Sequence, residues 1–239
     1  MLEVDEIAKS FGGLKVLTDV TFSAKAGEVT ALIGPNGAGK STIVNLISGY
    51  LEPNSGTIQL DGDELTGKPA AKAFEMGVSR TFQVSGNTAE LNVFECVAMA
   101  AYRQSSHYHE VNQIAEEQLR SFGLWQYRDQ RLGDIPTAMV RVVDFARGMA
   151  ANPKLLLLDE VMAGLTPTEV DVVIEQVRAC RETGVAIVMI EHVLQAVTAL
   201  ADSVVVLNNG QIIATGSMAE VSRSEEVREA YLGRAAAAH

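Results

Sequence analysis

The chain has 239 residues, 47% hydrophobic and 21% charged, which suits one sizeable core with a smaller inserted lobe and does not suit a disordered segment. Its net charge of −11 argues against adhesion to nucleic acid or anionic lipid, both of which need clustered Lys and Arg. No apolar run approaches the roughly 18–20 residues that span a bilayer, and Glu3, Asp5 and Glu6 interrupt any signal-peptide core. The chain is therefore expected in the cytosol, meeting a membrane only through a partner.

In chain order, residues 2–7, 16–23 and 28–33 read as three strands, with Gly12-Gly13 and Ala26-Gly27 as turns. A Gly-rich turn follows at 34–41, then a helix over 42–48. A strand at 57–60, an Asp61-Gly62 turn, a helix at 70–76 and a strand at 77–82 come next. From 91 to 150 the periodicity is helical, with Val93, Val97, Ala100 and Ala101 on one stripe and Val111, Ile114 and Leu119 on another. After Pro153, strands at 155–158, 185–190 and 204–207 alternate with helices at 168–183 and 193–200. Buried runs separated by helices predict a parallel sheet. Asn209-Gly210 predicts a hairpin closing onto a strand at 211–214. Cys96 and Cys180 lack metal-ligand spacing and are expected as packed thiols; the Ala235–Ala238 tail is expected to fray.

Gly34-Pro35-Asn36-Gly37-Ala38-Gly39-Lys40-Ser41 has the spacing of a phosphate-cradling loop between a strand and a helix. Glycines let successive N–H groups turn toward phosphate oxygens, and the helix adds its positive end. Lys40 is then expected at the β- and γ-phosphates of ATP, and Ser41 at Mg²⁺. The apolar strand at 155–158 ends in Asp159-Glu160. Beside such a loop, Asp159 falls near Mg²⁺, and Glu160 is set to orient or deprotonate the attacking water. Taken alone, the pair reads as a solvated strand end. His192, at the carboxyl end of a predicted parallel strand, reads equally as a γ-phosphate contact or as a surface histidine.

Taken together, these residues resemble the ATP-binding subunits of ABC transporters over about residues 2–233. They are most similar to the subgroup serving branched-chain and hydrophobic amino-acid uptake, through Ser10-Phe11-Gly12-Gly13, Arg80-Thr81-Phe82-Gln83, the 155–160 run and Met189-Ile190-Glu191-His192. The resemblance implies an α/β fold: a P-loop ATPase core with a mostly parallel sheet, an N-terminal antiparallel β part and an inserted helical subdomain. Residues 1–90 and 151–239 would form the core, and 91–150 the insert. It implies that Phe11 stacks on adenine, with Val16 and Thr42 also at the nucleotide. Gln83 would sense Mg²⁺ and water, and His192 would act as a switch. Phe11 reads otherwise as a strand-edge core aromatic, and Gln83 as a solvated loop residue.

The partners implied are a second ATP-binding subunit, membrane permease subunits docking near 84–91 on the cytoplasmic face and, indirectly, an extracytoplasmic substrate-binding protein. Nucleic acid is not among them. The family's Leu-Ser-Gly-Gly-Gln signature aligns with Ile135-Pro136-Thr137-Ala138-Met139, where the serine hydroxyl and both glycines are missing. Pro136 suits the first turn of a helix and Thr137 is a candidate cap, displaced about 100° from the lost serine. Thr166 replaces a common Asp, and Val161 a common Pro. An intact nucleotide side with a degraded partner-facing side implies a heterodimer with asymmetric sites. Rival readings are a weakly hydrolysing regulatory subunit, a soluble ABC ATPase of DNA repair or translation, and a P-loop kinase.

Overall fold

The computed structural model describes residues 1–81 and 90–232. Gln83, the 84–89 stretch and the Ala235–Ala238 tail lie outside the described residues. Two sheets organise the rest. A four-stranded antiparallel sheet has the order β2 (Leu14–Ala24), β1 (Leu2–Phe11), β4 (Ser55–Leu60), β5 (Asp63–Glu64). A six-stranded sheet has the order β10 (Gln211–Gly216), β9 (Ser203–Asn208), β3 (Val29–Ile33), β8 (Ala186–Ile190), β7 (Leu155–Asp159), β6 (Val78–Arg80), parallel except for β10. Thus the expected α/β architecture is present, with its antiparallel N-terminal part.

The central strands are buried on both faces, which is why they read as unbroken apolar runs. Strand alternation divides β7: Leu156 and Leu158 join one buried cluster, Leu155 and Leu157 the other. The second cluster is completed by the antiparallel sheet and helix α1 (Lys40–Ile47). Helix α2 (Ala70–Met76) leads into β6. The Asn209-Gly210 hairpin forms with φ of 46° and 78°, the positive pair that a tight two-residue turn demands.

Between β6 and β7 run helices α3 (Val93–Ala101), α4 (Tyr108–Ser121) and α5 (Thr137–Ala150). Asn92 and Glu95 close a capping box on α3. Val93, Val97, Val111, Leu119, Val142 and Phe145 bury in the same cluster as Leu156 and Leu158, so these helices are rooted on the sheet. Helices α6 (Pro167–Glu182) and α7 (Leu194–Leu200) cover the same face, and short helices α8 (Met218–Val221) and α9 (Glu225–Leu232) end the described chain. No described helix is long and apolar enough to cross a membrane. Cys96 and Cys180 are buried free thiols, as expected, and burial pushes Cys180 up to about 12.

One charge sits deep in α5. Asp144 is buried, and although Arg147 Nη2 lies 3.0 Å from its Oδ1, loss of water outweighs that attraction and raises its pKa from 3.8 to about 6. A raised carboxylate favours the folded state most below its unfolded pKa, and that stability is lost as pH rises through the folded value. The interval corresponds to roughly 3 kcal/mol at most. In Asp144→Asn, the stability lost by wild type between pH 4 and pH 6 is expected to shrink, a difference read by urea unfolding of both proteins across that range.

Candidate functional site

The parallel strands bring their carboxyl ends to one edge, where Lys40, Ser41, Glu160 and His192 share a cleft. The phosphate loop leaves β3 at the centre of the sheet, Asp159 ends β7, and His192 follows β8. Gly34, at φ +148°, passes so close to β9 that a Cβ would stand 2.0 Å from the Leu207 carbonyl oxygen. Only glycine fits this approach. The loop is held from behind as well: Ala38 N–H donates to the Pro35 carbonyl (3.1 Å), and Gly210 N–H of the β9–β10 hairpin donates to the Ala38 carbonyl (3.0 Å).

Helix α1 starts at Lys40, two residues before the sequence reading had it, because Gly39 serves as its cap at φ 108° without a side-chain hydrogen bond. The first-turn N–H groups therefore carry the positive end of the helix toward the loop. Lys40, 5% exposed, folds across the loop and donates to the Gly34 (2.8 Å) and Pro35 (3.0 Å) carbonyls. Val16, Asn36, Gly37, Gly39, Lys40, Ser41, Thr42, Glu160 and His192 line a cleft of about 640 Å³, a volume within the range of small-molecule sites. Gly34, Pro35 and Ala38 shape the loop without lining the cleft.

Glu160 and His192, 32 residues apart in sequence, meet at the mouth: His192 Nε2 lies 3.0 Å from Glu160 Oε1, each side chain a little under half exposed. Glu160 sits at φ +51°, a left-handed conformation unusual for a side-chain-bearing residue. Its N–H donates to the Ile190 carbonyl (2.9 Å), which ties it to the end of β8.

Asp159 is held by a residue that sequence reasoning quoted without a role. Arg80 Nη2 donates to Asp159 Oδ2 (2.7 Å), and its Nη1 reaches Asn45 Oδ1 (2.7 Å) and Ser48 Oγ (3.4 Å) on and after α1. Arg80 thereby ties the end of β7 to the helix behind the phosphate loop. It also lines a second cleft of about 390 Å³, whose walls include the exposed aromatics Tyr50 and Phe74 and the exposed Met99. Glu191 was missed too. It is only 3% exposed and accepts from the Met162 N–H (2.9 Å) and the His192 N–H (3.3 Å).

Phe11 stands at the end of β1, outside the cleft lining. It is 47% exposed, with Lys9 Nζ 5.2 Å from its ring centre, so it is not a core aromatic. The expected cap at Thr137 is corrected. Helix α5 begins at Thr137, the cap position belongs to Pro136 (φ −56°, ψ 144°), and no side chain caps it. Pro136 thus stands just before the first turn rather than in it, at an extended ψ, and the Thr137 hydroxyl falls inside the helix. Thr166, by contrast, is a working cap of α6, in a reciprocal box with Glu169 whose hydrogen bonds lower the Glu169 pKa.

Residues 17–163 match the family model described as ABC transporter, and residues 211–237 match that of the branched-chain amino acid ATP-binding cassette transporter. The chain is 32% identical over 255 residues to the high-affinity branched-chain amino acid transport ATP-binding protein BraF of Pseudomonas aeruginosa, covering 98% of each. It is also 35% identical over 222 residues to the ribose import ATP-binding protein RbsA of Chelativorans sp., covering 93% of this chain but 44% of that one. Among solved structures, an ATP-binding cassette of an ABC transporter in its ADP conformation superposes with a TM-score of 0.88 at 30% identity, covering 98% of both chains.

Proposed function

The chain belongs to the ABC transporter family of ATP-binding subunits, and on that premise we propose that it hydrolyses ATP at the cleft between the phosphate loop and the Glu160–His192 pair, driving uptake of branched-chain or related hydrophobic amino acids. The observation that carries this reading is the 3.0 Å contact between His192 Nε2 and Glu160 Oε1 in the same cleft that Lys40 and Ser41 line. In it, the loop amides and Lys40 hold the triphosphate, Phe11 stacks on the base, and Val16 and Thr42 flank the nucleotide. Glu160 takes the proton of the attacking water while His192 fixes its carboxylate. The match over 211–237 favours amino acids over sugars.

Mg²⁺ fits the residues present. Ser41 offers a hydroxyl and Asp159 a carboxylate, hard oxygens of the kind that hold this ion alongside phosphates and water, and Gln83 is the third proposed contact. When bound, the ion supplies charge neutralisation to the phosphates. Asp159 is meanwhile paired with Arg80, a counter-charge that keeps this strand end in place.

In this reading, residues 1–90 and 151–239 form the ATP-binding core and 91–150 the helical lobe. A permease subunit docks near residues 84–91, and Tyr50, Phe74 and Met99, on the cleft where Arg80 connects the surface to Asp159, offer it a further exposed apolar face. The chain then lies peripherally on the cytoplasmic side, served indirectly by a substrate-binding protein. Its partner in the nucleotide sandwich is a different ATP-binding subunit. The support is the α5 start, where Pro136 replaces a hydroxyl and Thr137 leaves the cap uncovered. That feature also favours the second reading, a subunit that binds ATP but hydrolyses weakly. Steady-state hydrolysis of the chain alone and with its cognate partner separates them. Slow turnover alone, raised severalfold by the partner, is expected. Vigorous cooperative turnover by the isolated chain overturns the heterodimer, and no magnesium-dependent ATP binding in either form overturns the function.

A further inference from the structure

Glu191 invests a carboxylate in the interior. Burying such a group is costly unless its oxygens are satisfied, and here they meet backbone N–H groups: that of Met162 across the β7–β8 ends, and those of His192 and Val193 in its own loop. Oε1 accepts from Met162 in the turn after β7, and Oε2 accepts from His192 in the loop after β8. Burial is the largest influence on its pKa, which is raised despite these bonds. The turn it grips is the one that carries Glu160. Glu160 is anchored on one side by its N–H to the Ile190 carbonyl, and two residues on, Met162 is anchored by Glu191. Both anchors come from consecutive residues at the end of β8, the strand that also presents His192. The left-handed backbone of Glu160 persists only where its surroundings over-determine it.

We propose that Glu191 is a positioning residue for hydrolysis. Its two oxygens lock the 160–162 turn to the His192 loop and so set the distance between Glu160 and His192. This rests on the functional reading above; the hydrogen bonds that carry it run from Glu191 to the Met162 turn and to its own loop. The two-acceptor geometry explains why a carboxylate is needed. A glutamine of the same shape has one acceptor, and its amide N–H₂ would face a backbone donor.

The test is Glu191→Gln in the full chain, with its partner subunit where that is what turns over. Loss of one clamp displaces the general base without touching the nucleotide grip, so kcat is expected to fall ~10- to 100-fold. Nucleotide affinity is expected to stay within about twofold, since the phosphate loop lies outside this network. In nucleotide-free protein, amide exchange at Met162 is expected to accelerate about tenfold or more, while the loop at 34–41 keeps its wild-type exchange. An active wild type whose Glu191→Gln form keeps its kcat, or loses kcat and ATP affinity in parallel, overturns the proposal. A wild type that neither binds nor hydrolyses ATP overturns the functional reading instead, and unchanged Met162 exchange then overturns the clamp as well. If Glu191→Gln does not fold, Glu191→Asp, with both oxygens withdrawn by one methylene, is held to the same kcat, affinity and exchange outcomes.

Discussion

Glu160→Gln is expected to bind ATP as wild type does and to hydrolyse it ~100- to 10,000-fold more slowly, the span that general-base catalysis contributes. The amide preserves the size of the side chain and its reach to His192 Nε2, 3.0 Å away, so the cleft keeps its shape. What it loses is basicity: an amide oxygen accepts a hydrogen bond and cannot carry off the proton of the attacking water. The side chain stands at the cleft mouth and takes no part in the core, so stability is expected to be unchanged. Because binding is retained while turnover stops, the variant is expected to accumulate, together with its partner subunit, as a closed nucleotide-bound dimer. Phosphate release and light scattering in the presence of ATP read the two halves of the result. Hydrolysis at the wild-type rate would remove Glu160 from the role assigned to it.

The second large effect is Lys40→Ala, which is expected to weaken nucleotide affinity ~10- to 100-fold, the loss of about one charge-assisted hydrogen bond. Here the grip is lost and turnover falls as its consequence. The ammonium lies buried against the Gly34 and Pro35 carbonyls, so it holds the loop closed on itself as well as offering positive charge to phosphates. Titration calorimetry with ATP and magnesium measures the change; an unaltered dissociation constant contradicts the assignment of this loop. Comparison with Glu160→Gln separates the two functions of the cleft, one variant defective in holding and the other in cutting.

Much of this candidate site is legible in the sequence because its chemistry is written in contiguous residues. The Gly34–Ser41 spacing and the Asn209-Gly210 turn each carry a local backbone requirement that few other residues meet, and the apolar run into Asp159 is what a strand buried on both faces demands. The helices between β6 and β7 announced themselves through stripes that do bury. What escaped are relations between distant residues and the burial of single polar groups. Arg80 and Asp159 are 79 positions apart, and nothing local says that they pair. Glu191 carries no local signal of burial, and only the neighbouring β7 turn makes it an interior acceptor. The Thr137 cap failed for a local reason: proline at 136 took the boundary position, and the helix began one residue sooner than a threonine cap requires.

The rear of the phosphate loop carries one last implication. Gly210 gives its N–H to the Ala38 carbonyl and accepts from the Thr18 N–H, and a Cβ on it would stand 2.2 Å from the Val16 oxygen. Three stretches of chain, from β2, the loop and the far hairpin, meet there like stones in an arch with no mortar between them. Such a loop is finished before its ligand arrives, so the energy of capture goes into gripping phosphate oxygens and little of it into organising backbone. Widening that joint by one methyl group would loosen the grip from behind, with every residue that faces the nucleotide left intact.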